Sequence, residues 1–139
     1  MGAWGNGYFE DDSALDFMAD VEESKNPKQK IKDSLKIALE TEYLESDEAT
    51  AVIVAATYID SQLNGTKFGD TDREDPLEVD TFSARYPNID FADLKTDAIS
   101  ALKKVVSDNS ELNELWAENE DDYPVWKAGV ERLIRSLSK

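Results

Sequence analysis

A run of apolar and small residues near the middle of the chain constrains the fold more than any other feature. Residues 49–59 read Ala-Thr-Ala-Val-Ile-Val-Ala-Ala-Thr-Tyr-Ile, which is apolar almost all the way round a helix. Such a helix is stable when neighbouring elements cover it on several sides. The β-branched residues also suit a strand, but the segment's length, its alanines and its caps favour a helix. We expect its most buried residues to include Val52, Ile53, Ala56 and Ile59.

Local signals place the ends of this helix and predict further helices around it. Ser46 begins the central helix and Asn64-Gly65 ends it. A first helix follows Asp12 or Ser13, and a second follows the Asn26 cap, with Pro27 in its first turn, and ends near Leu44. Further amphipathic segments start near Asp90, Asn109 or Ser110, and Pro124. In the second helix, the predicted core stripe is Ile31, Leu35, Ala38 and Leu39.

The sequence therefore predicts an all-α fold: a single compact domain over residues 1–139, with about six helices around a central apolar helix. Residues 65–90 interrupt the helical pattern with two glycines and two prolines and predict a long acidic loop. Its run Asp70-x-Asp72-x-Glu74 begins like a calcium loop, but Asp75 replaces the glycine of position six and Thr81 the glutamate of position twelve. We therefore predict no metal site there. The apolar residues that would tether this loop are Phe68, Leu77, Val79, Phe82 and Tyr86.

The chain contains neither cysteine nor histidine. This excludes thiol nucleophiles, imidazole acid–base catalysis and the usual zinc sites, and leaves only metals that bind oxygen ligands. Carboxylate pairs on a helix face, such as Asp93 and Asp97, suit a solvated surface. We expect a protein that is not an enzyme, with no catalytic residue and no cofactor. The lack of cysteine, of an apolar run of membrane-spanning length and of a leader at the start favours the cytoplasm.

The chain is strongly acidic. It carries 31 acidic and 15 basic residues, a formal net charge of −16. When the chain is divided after residues 26, 65, 90 and 122, the last segment, residues 123–139, is the net basic one, at +3. This field opposes binding to a nucleic-acid backbone or to an anionic membrane, and it attracts a basic protein. The alternative is that the charge only keeps the protein soluble.

The opening of the chain combines glycines with aromatic residues. Residues 2–9 read Gly-Ala-Trp-Gly-Asn-Gly-Tyr-Phe and precede an acidic helix start. The glycines permit an irregular path that folds Trp4 and Phe9 onto the core. Near the other end, Ser110-Glu111-Leu112 and Leu115-Trp116 precede an acidic gap and a second tryptophan, Trp126. The three tryptophans could form an aromatic pocket, but helical spacing places Trp116 and Trp126 on core faces.

Together these motifs resemble the signature of the domain of unknown function 4259 family, a mainly bacterial group. The resemblance covers roughly the whole chain and implies no activity. Three functions remain open: a protein-binding module of the inhibitor or immunity type for a basic partner; a structural or regulatory domain; and, more remotely, a hydrolase that depends on a divalent metal. For the first, the expected partner-binding residues lie in two acidic stretches: Asp70, Asp72, Glu74, Asp75, Glu118, Glu120, Asp121 and Asp122.

Overall fold

The computed structural model describes residues 12–68 and 78–138 of the chain. The predicted all-α fold is confirmed. The third helix, α3, contacts each of the other six α-helices of this part of the chain. These helices are α1 (Asp12–Glu23), α2 (Pro27–Glu40), α3 (Ser46–Asn64), α4 (Glu78–Arg85), α5 (Lys95–Val105), α6 (Glu111–Ala117) and α7 (Tyr123–Leu137), and a short 3-10 helix, Ala92–Leu94, precedes α5.

The central helix α3 is buried along most of its length, as predicted. Ile53 is 5% exposed, and Val52, Ala56 and Ile59 are fully buried. At the start of α3, the Glu45 side chain accepts from the backbone at Glu48 while the Glu48 carboxylate accepts from the Glu45 N–H, a capping box. At its end, Gly65 adopts a left-handed conformation with φ of 72°, which glycine reaches without steric strain. The local signals in the sequence therefore placed both ends of α3 correctly.

The second helix ends earlier than its sequence pattern predicts. Asn26 caps it through the Gln29 N–H and Pro27 occupies its first turn, as expected, but α2 stops at Glu40 rather than near Leu44. Thr41 is extended, with ψ of 147°. The Lys104 ammonium of α5 donates to the carbonyl oxygens of Ala38 and Thr41. A residue from a distant helix thus satisfies the carbonyls at this end, which no local signal could indicate.

The predicted core stripe on α2 is wrong at one residue, which is exposed. Leu39 is 39% exposed, whereas Ile31, Leu35 and Ala38 are buried. Position 39 lies at the edge of the stripe, and Ser34 is buried on the opposite edge. The Ser34 hydroxyl tolerates this burial because it donates to the Ile31 carbonyl oxygen at 2.7 Å.

Part of the predicted loop over residues 65–90 is helical. The segment Glu78–Arg85 forms α4, which packs on α3. Phe82 of α4 is buried and meets the Tyr58 ring edge-to-face, with the ring centroids 5.1 Å apart. The residues predicted to tether the loop, Val79 and Phe82, are thus the buried face of a short helix. The acidic run over residues 70–75 lies outside the described residues.

The last two helices join through stacked aromatic rings. Ser110 caps α6 by accepting from the Asn113 N–H. Trp116 and Trp126 are both buried, as predicted, and their rings stack with centroids 6.1 Å apart. The Tyr123 ring also stacks on Trp126, with the centroids 6.1 Å apart. The turn that connects α6 to α7 is therefore fixed at its base by large aromatic contacts. The opening motif with Trp4 and Phe9 lies outside the described residues.

None of the helices in the described part of the chain combines the length and the apolar content needed to span a bilayer.

Candidate functional site

Two chain segments without a single basic residue meet beside the start of α3. Residues 40–48 contain five acidic residues, and residues 108–122 contain seven. Leu44 and Ser110 form an isolated parallel bridge between these segments. The Leu44 N–H donates to the Asn109 carbonyl oxygen and the Glu111 N–H donates to the Leu44 carbonyl oxygen, both at 2.8 Å. We call the surface formed by residues 40–48 and 108–122 the acidic end.

Carboxylates of the second segment also bond directly to the first. Glu111 Oε1 accepts from the Ser46 N–H at 2.9 Å, at the first turn of α3, where the helix dipole favours negative charge. Glu114 Oε2 accepts from the Tyr43 hydroxyl at 2.7 Å. This hydrogen bond, together with desolvation and the charges of Glu114 and Glu111, raises the pKa of Tyr43 to about 12. The two segments therefore form one surface and not two neighbouring loops.

The predicted partner-binding residues of the second stretch lie on the turn between α6 and α7. Glu118, Glu120 and Asp121 are exposed, and Asp122 is half-buried. Asn119 organises the turn, because its side-chain oxygen accepts from the N–H groups of Asp121 and Asp122. Its Nδ2 donates to Asp122 Oδ2 at 2.9 Å. The exposed carboxylates are thus presented on an ordered turn.

In the structure, the predicted residues of the second stretch are joined to a further acidic segment that the sequence did not indicate. The other predicted stretch, with Asp70, Asp72, Glu74 and Asp75, lies outside the described residues. The turn at residues 118–122 is instead joined to residues 40–48 through α6, whose seven residues span about 10 Å. Sequence reasoning missed residues 40–48 because they sit in a helix end and a connector. The signal was present, since each of the two segments contains acid and no base.

A different charge arrangement lies at the other end of α3. A cleft of about 540 Å³ opens there between the end of α3, residues 66–68 and α7. Its lining includes one carboxylate, three cationic side chains, a phenyl ring and a hydroxyl: Asp60, Lys67, Arg132, Arg135, Phe68 and Ser136. We call it the Asp60 cleft.

Asp60 is 1% exposed, although it carries a carboxyl group. Its Oδ1 accepts from the Ser136 hydroxyl at 2.6 Å and from Asn64 Nδ2 at 2.7 Å. Its Oδ2 is buried and has no hydrogen-bond partner. A buried polar atom without a partner costs on the order of 1 to 3 kcal/mol, so native proteins rarely retain one without a reason.

The wall of the Asp60 cleft is held by α4. Lys67 Nζ donates to the Asp80 carbonyl oxygen at 2.9 Å, and the Phe68 N–H donates to Asp80 Oδ1 at 2.7 Å. On the α7 side, Arg132 and Arg135 are exposed and form no ion pair with the described residues. The cleft therefore has an ordered wall and two cationic groups available to a ligand.

The remaining carboxylates give no metal site in the part of the chain that the structure describes. No group of three or more acidic side chains there is placed to hold a metal ion. Asp93 and Asp97 are both exposed, and Asp93 pairs with Lys28 at 2.8 Å, which lowers the pKa of its carboxyl. The run that resembles a calcium loop falls outside the described residues.

Comparison with known families identifies the family of the chain. The model of the family described as domain of unknown function (DUF4259) matches residues 2–129. The chain belongs to this family. No functionally curated protein and no solved structure matches this DUF4259 chain significantly.

The residues matched by the family model include the whole acidic end but only part of the Asp60 cleft. They include the opening motif and both segments of the acidic end. They stop before Arg132, Arg135 and Ser136, which complete the Asp60 cleft on α7. The resemblance drawn from the opening and closing motifs is confirmed, and the acidic end of this DUF4259 chain lies within the family match.

Proposed function

We propose that this DUF4259 chain is a protein-binding module, not an enzyme, and that its acidic end docks on a basic protein. The observation that carries the proposal is the bridge between Leu44 and Ser110, which brings together two acidic segments that are far apart in sequence. The two segments carry twelve carboxylates and no basic residue of their own, and the nearby Lys104 ammonium is bonded to backbone carbonyl oxygens. Such a surface steers a cationic partner inward and speeds its association.

Exposed apolar side chains in the acidic end and just beyond it in sequence favour a protein as the partner. Tyr43 is 41% exposed beside the bridge, and Val125, three residues beyond Asp122, is 56% exposed. Specific protein interfaces pair an aromatic or aliphatic centre with a polar rim. Charge that serves solubility alone needs neither an ordered turn nor exposed apolar residues beside it.

The acidic character fits an inhibitor or immunity role. A protein with a cationic active site, such as a nuclease, is blocked when carboxylates occupy the positions that would bind phosphates. We propose that this chain and its basic partner meet in a reducing bacterial cytoplasm, because a chain of 139 residues without cysteine relies on no disulfide. The competing function is a structural or regulatory domain whose acidity is generic.

The test compares two triple variants that change the net charge equally. E118Q/E120Q/D121N neutralises three exposed carboxylates of the acidic end, and D16N/D20N/E23Q neutralises three exposed carboxylates of α1. Both are used as bait for affinity capture from the native cell, at about 0.05 M and about 0.5 M salt. We expect a basic protein that the parent and the α1 variant retain at low salt and that the acidic-end variant loses.

Two results would contradict this function. One is a partner retained equally by both variants, which would mean that the neutralised carboxylates of the acidic end do not determine binding. The other is the absence of any salt-sensitive partner in all three captures, which would favour the structural or regulatory function.

A further inference from the structure

We propose that the Asp60 cleft binds a small zwitterionic ligand of the α-amino-acid class. This inference is independent of the proposed protein-binding function, because the cleft lies at the opposite end of α3 from the acidic end. It starts from Asp60 Oδ2, a buried oxygen with no hydrogen-bond partner in a residue that lines the cleft.

The first requirement on the ligand is a hydrogen-bond donor for Asp60. Its Oδ1 already accepts from Ser136 and Asn64, which fixes the orientation of the carboxylate. The unpartnered oxygen can accept from an ammonium or N–H group, and a charged donor gives the stronger bond. An amine nitrogen at this position would satisfy the one buried side-chain polar atom that lacks a partner among the described residues.

The second requirement is an anionic group for the cleft wall. Lys67, Arg132 and Arg135 line the same cleft, and both arginines are exposed and unpaired among the described residues. Guanidinium groups bind carboxylates in a two-pronged geometry. A purely cationic ligand would meet three like charges here, and a purely anionic ligand would leave Asp60 without a donor. A zwitterion satisfies both parts.

The size and position of the cleft agree with a ligand of this class. Its volume of about 540 Å³ lies within the range of small-molecule pockets and accommodates the main chain and side chain of one amino acid. The cleft also lies beside the net basic C-terminal segment, at residues 123–139. The cations of this segment favour the approach of an anionic group to the cleft.

Calorimetric titration with the common L-α-amino acids, each with the full chain, tests the proposal. For an amino acid that binds, its N-acetyl derivative lacks the ammonium group and its carboxamide lacks the carboxylate. The variant D60N keeps the shape of the side chain and replaces the open acceptor with a donor. R132A/R135A removes the exposed cations, and K32A/K36A, two exposed cations of α2, is the matched control.

We expect at least one amino acid to bind, and D60N and N-acetylation each to weaken its binding about tenfold or more. R132A/R135A and the carboxamide should weaken it similarly, while K32A/K36A leaves it unchanged. Without ligand, D60N should still fold, because its side-chain oxygen can accept from Ser136 and Asn64 as Asp60 Oδ1 does.

The proposal is overturned if no amino acid binds, if binding survives D60N, or if inorganic phosphate or putrescine binds as tightly as the amino acid. If D60N does not fold, R132A/R135A decides: binding equal to that of the parent overturns the proposal, and binding lost in R132A/R135A but kept in K32A/K36A supports it.

Discussion

The two ends of α3 handle charge in opposite ways. At the start of the helix, many carboxylates lie on the surface, and those of Glu48, Glu111 and Glu114 bond to backbone N–H groups or to a hydroxyl. At the other end, one carboxylate, that of Asp60, is buried, and three cationic side chains line the same cleft. The acidic end keeps its charges in water, whereas the Asp60 cleft removes a charge from water and leaves one oxygen without a donor.

The dipole of α3 explains most of this distribution. Negative groups near a helix start and positive groups near its end each contribute about 0.3 to 1 kcal/mol. Asp47 and Glu48 in the first turn follow this rule, and so do Lys67 and the arginines of α7 beyond the last turn. Asp60 is the exception, because a carboxylate near the end of the helix opposes the dipole. Asp60 thus departs from the charge pattern of the rest of α3. A carboxylate that serves a ligand, and not the stability of the helix, is expected to depart in this way.

The largest expected effect comes from placing a charge between the two ends. Ile53→Asp buries a carboxylate in the middle of α3, where Ile53 is 5% exposed and lies among apolar neighbours. An unpaired buried charge costs several kcal/mol, a large part of the 5 to 15 kcal/mol that stabilises a typical domain. We expect the helical circular dichroism signal to be lost at room temperature.

The matched control is Ile37→Asp on α2, where the residue is 49% exposed. This variant should keep its helical signal. Equal behaviour of the two variants would mean that α3 is not the covered centre of the fold.

A smaller effect is expected from Ser136→Ala, which removes one of the two donors to Asp60 Oδ1. We expect a loss of about 1 to 3 kcal/mol in the free energy of unfolding, because a buried carboxylate loses a partner. Urea unfolding measures it. Ser100→Ala, at an exposed position on α5, should change stability by no more than about 0.5 kcal/mol. Similar values for the two variants would place the Asp60 carboxylate in better contact with water than the structure indicates.

The smallest effect is expected at the acidic end, from Tyr43→Phe. The folded-state pKa of Tyr43 is raised to about 12 from a usual value of 10.0. The hydrogen bond to Glu114 therefore stabilises the fold fully below pH 10 and is lost as the pH rises through 12. The difference in stability between parent and variant should be constant at lower pH and shrink above pH 10. A difference that does not depend on pH in this range would argue against the bond to Glu114.

The sequence predicted the parts of the fold that depend on local signals. Asn26, Ser110 and Gly65 each mark a helix boundary that the structure confirms, because a cap acts within four residues of its own position. The early end of α2 could not be predicted, since Lys104 reaches it from α5. The helix α4 was missed because glycines, prolines and acidic residues around it dominate the pattern of residues 65–90.

The candidate sites were less predictable than the fold. The acidic turn at residues 118–122 was predicted from its composition, but its union with residues 40–48 depends on a bridge between distant parts of the chain. Asp60 carried no signal at all, because one acidic residue in an apolar helix gives no indication of which neighbours it will meet. The anchoring role of Trp4 and Phe9 and the partner-binding role of Asp70, Asp72, Glu74 and Asp75 stay predictions.

The acidic end, which the bridge between Leu44 and Ser110 holds together, forms only when the chain folds. The bond between Ser46 and Glu111 joins residues 65 positions apart, so the two segments are separated in the unfolded chain and meet only once most of the helices have packed. A ligand that contacts both segments therefore recognises the folded chain alone. By mass action it would raise the apparent stability of the chain by about 2.7 kcal/mol at one hundred times its dissociation constant. Occupancy of the acidic end and resistance of the chain to unfolding are thus thermodynamically coupled.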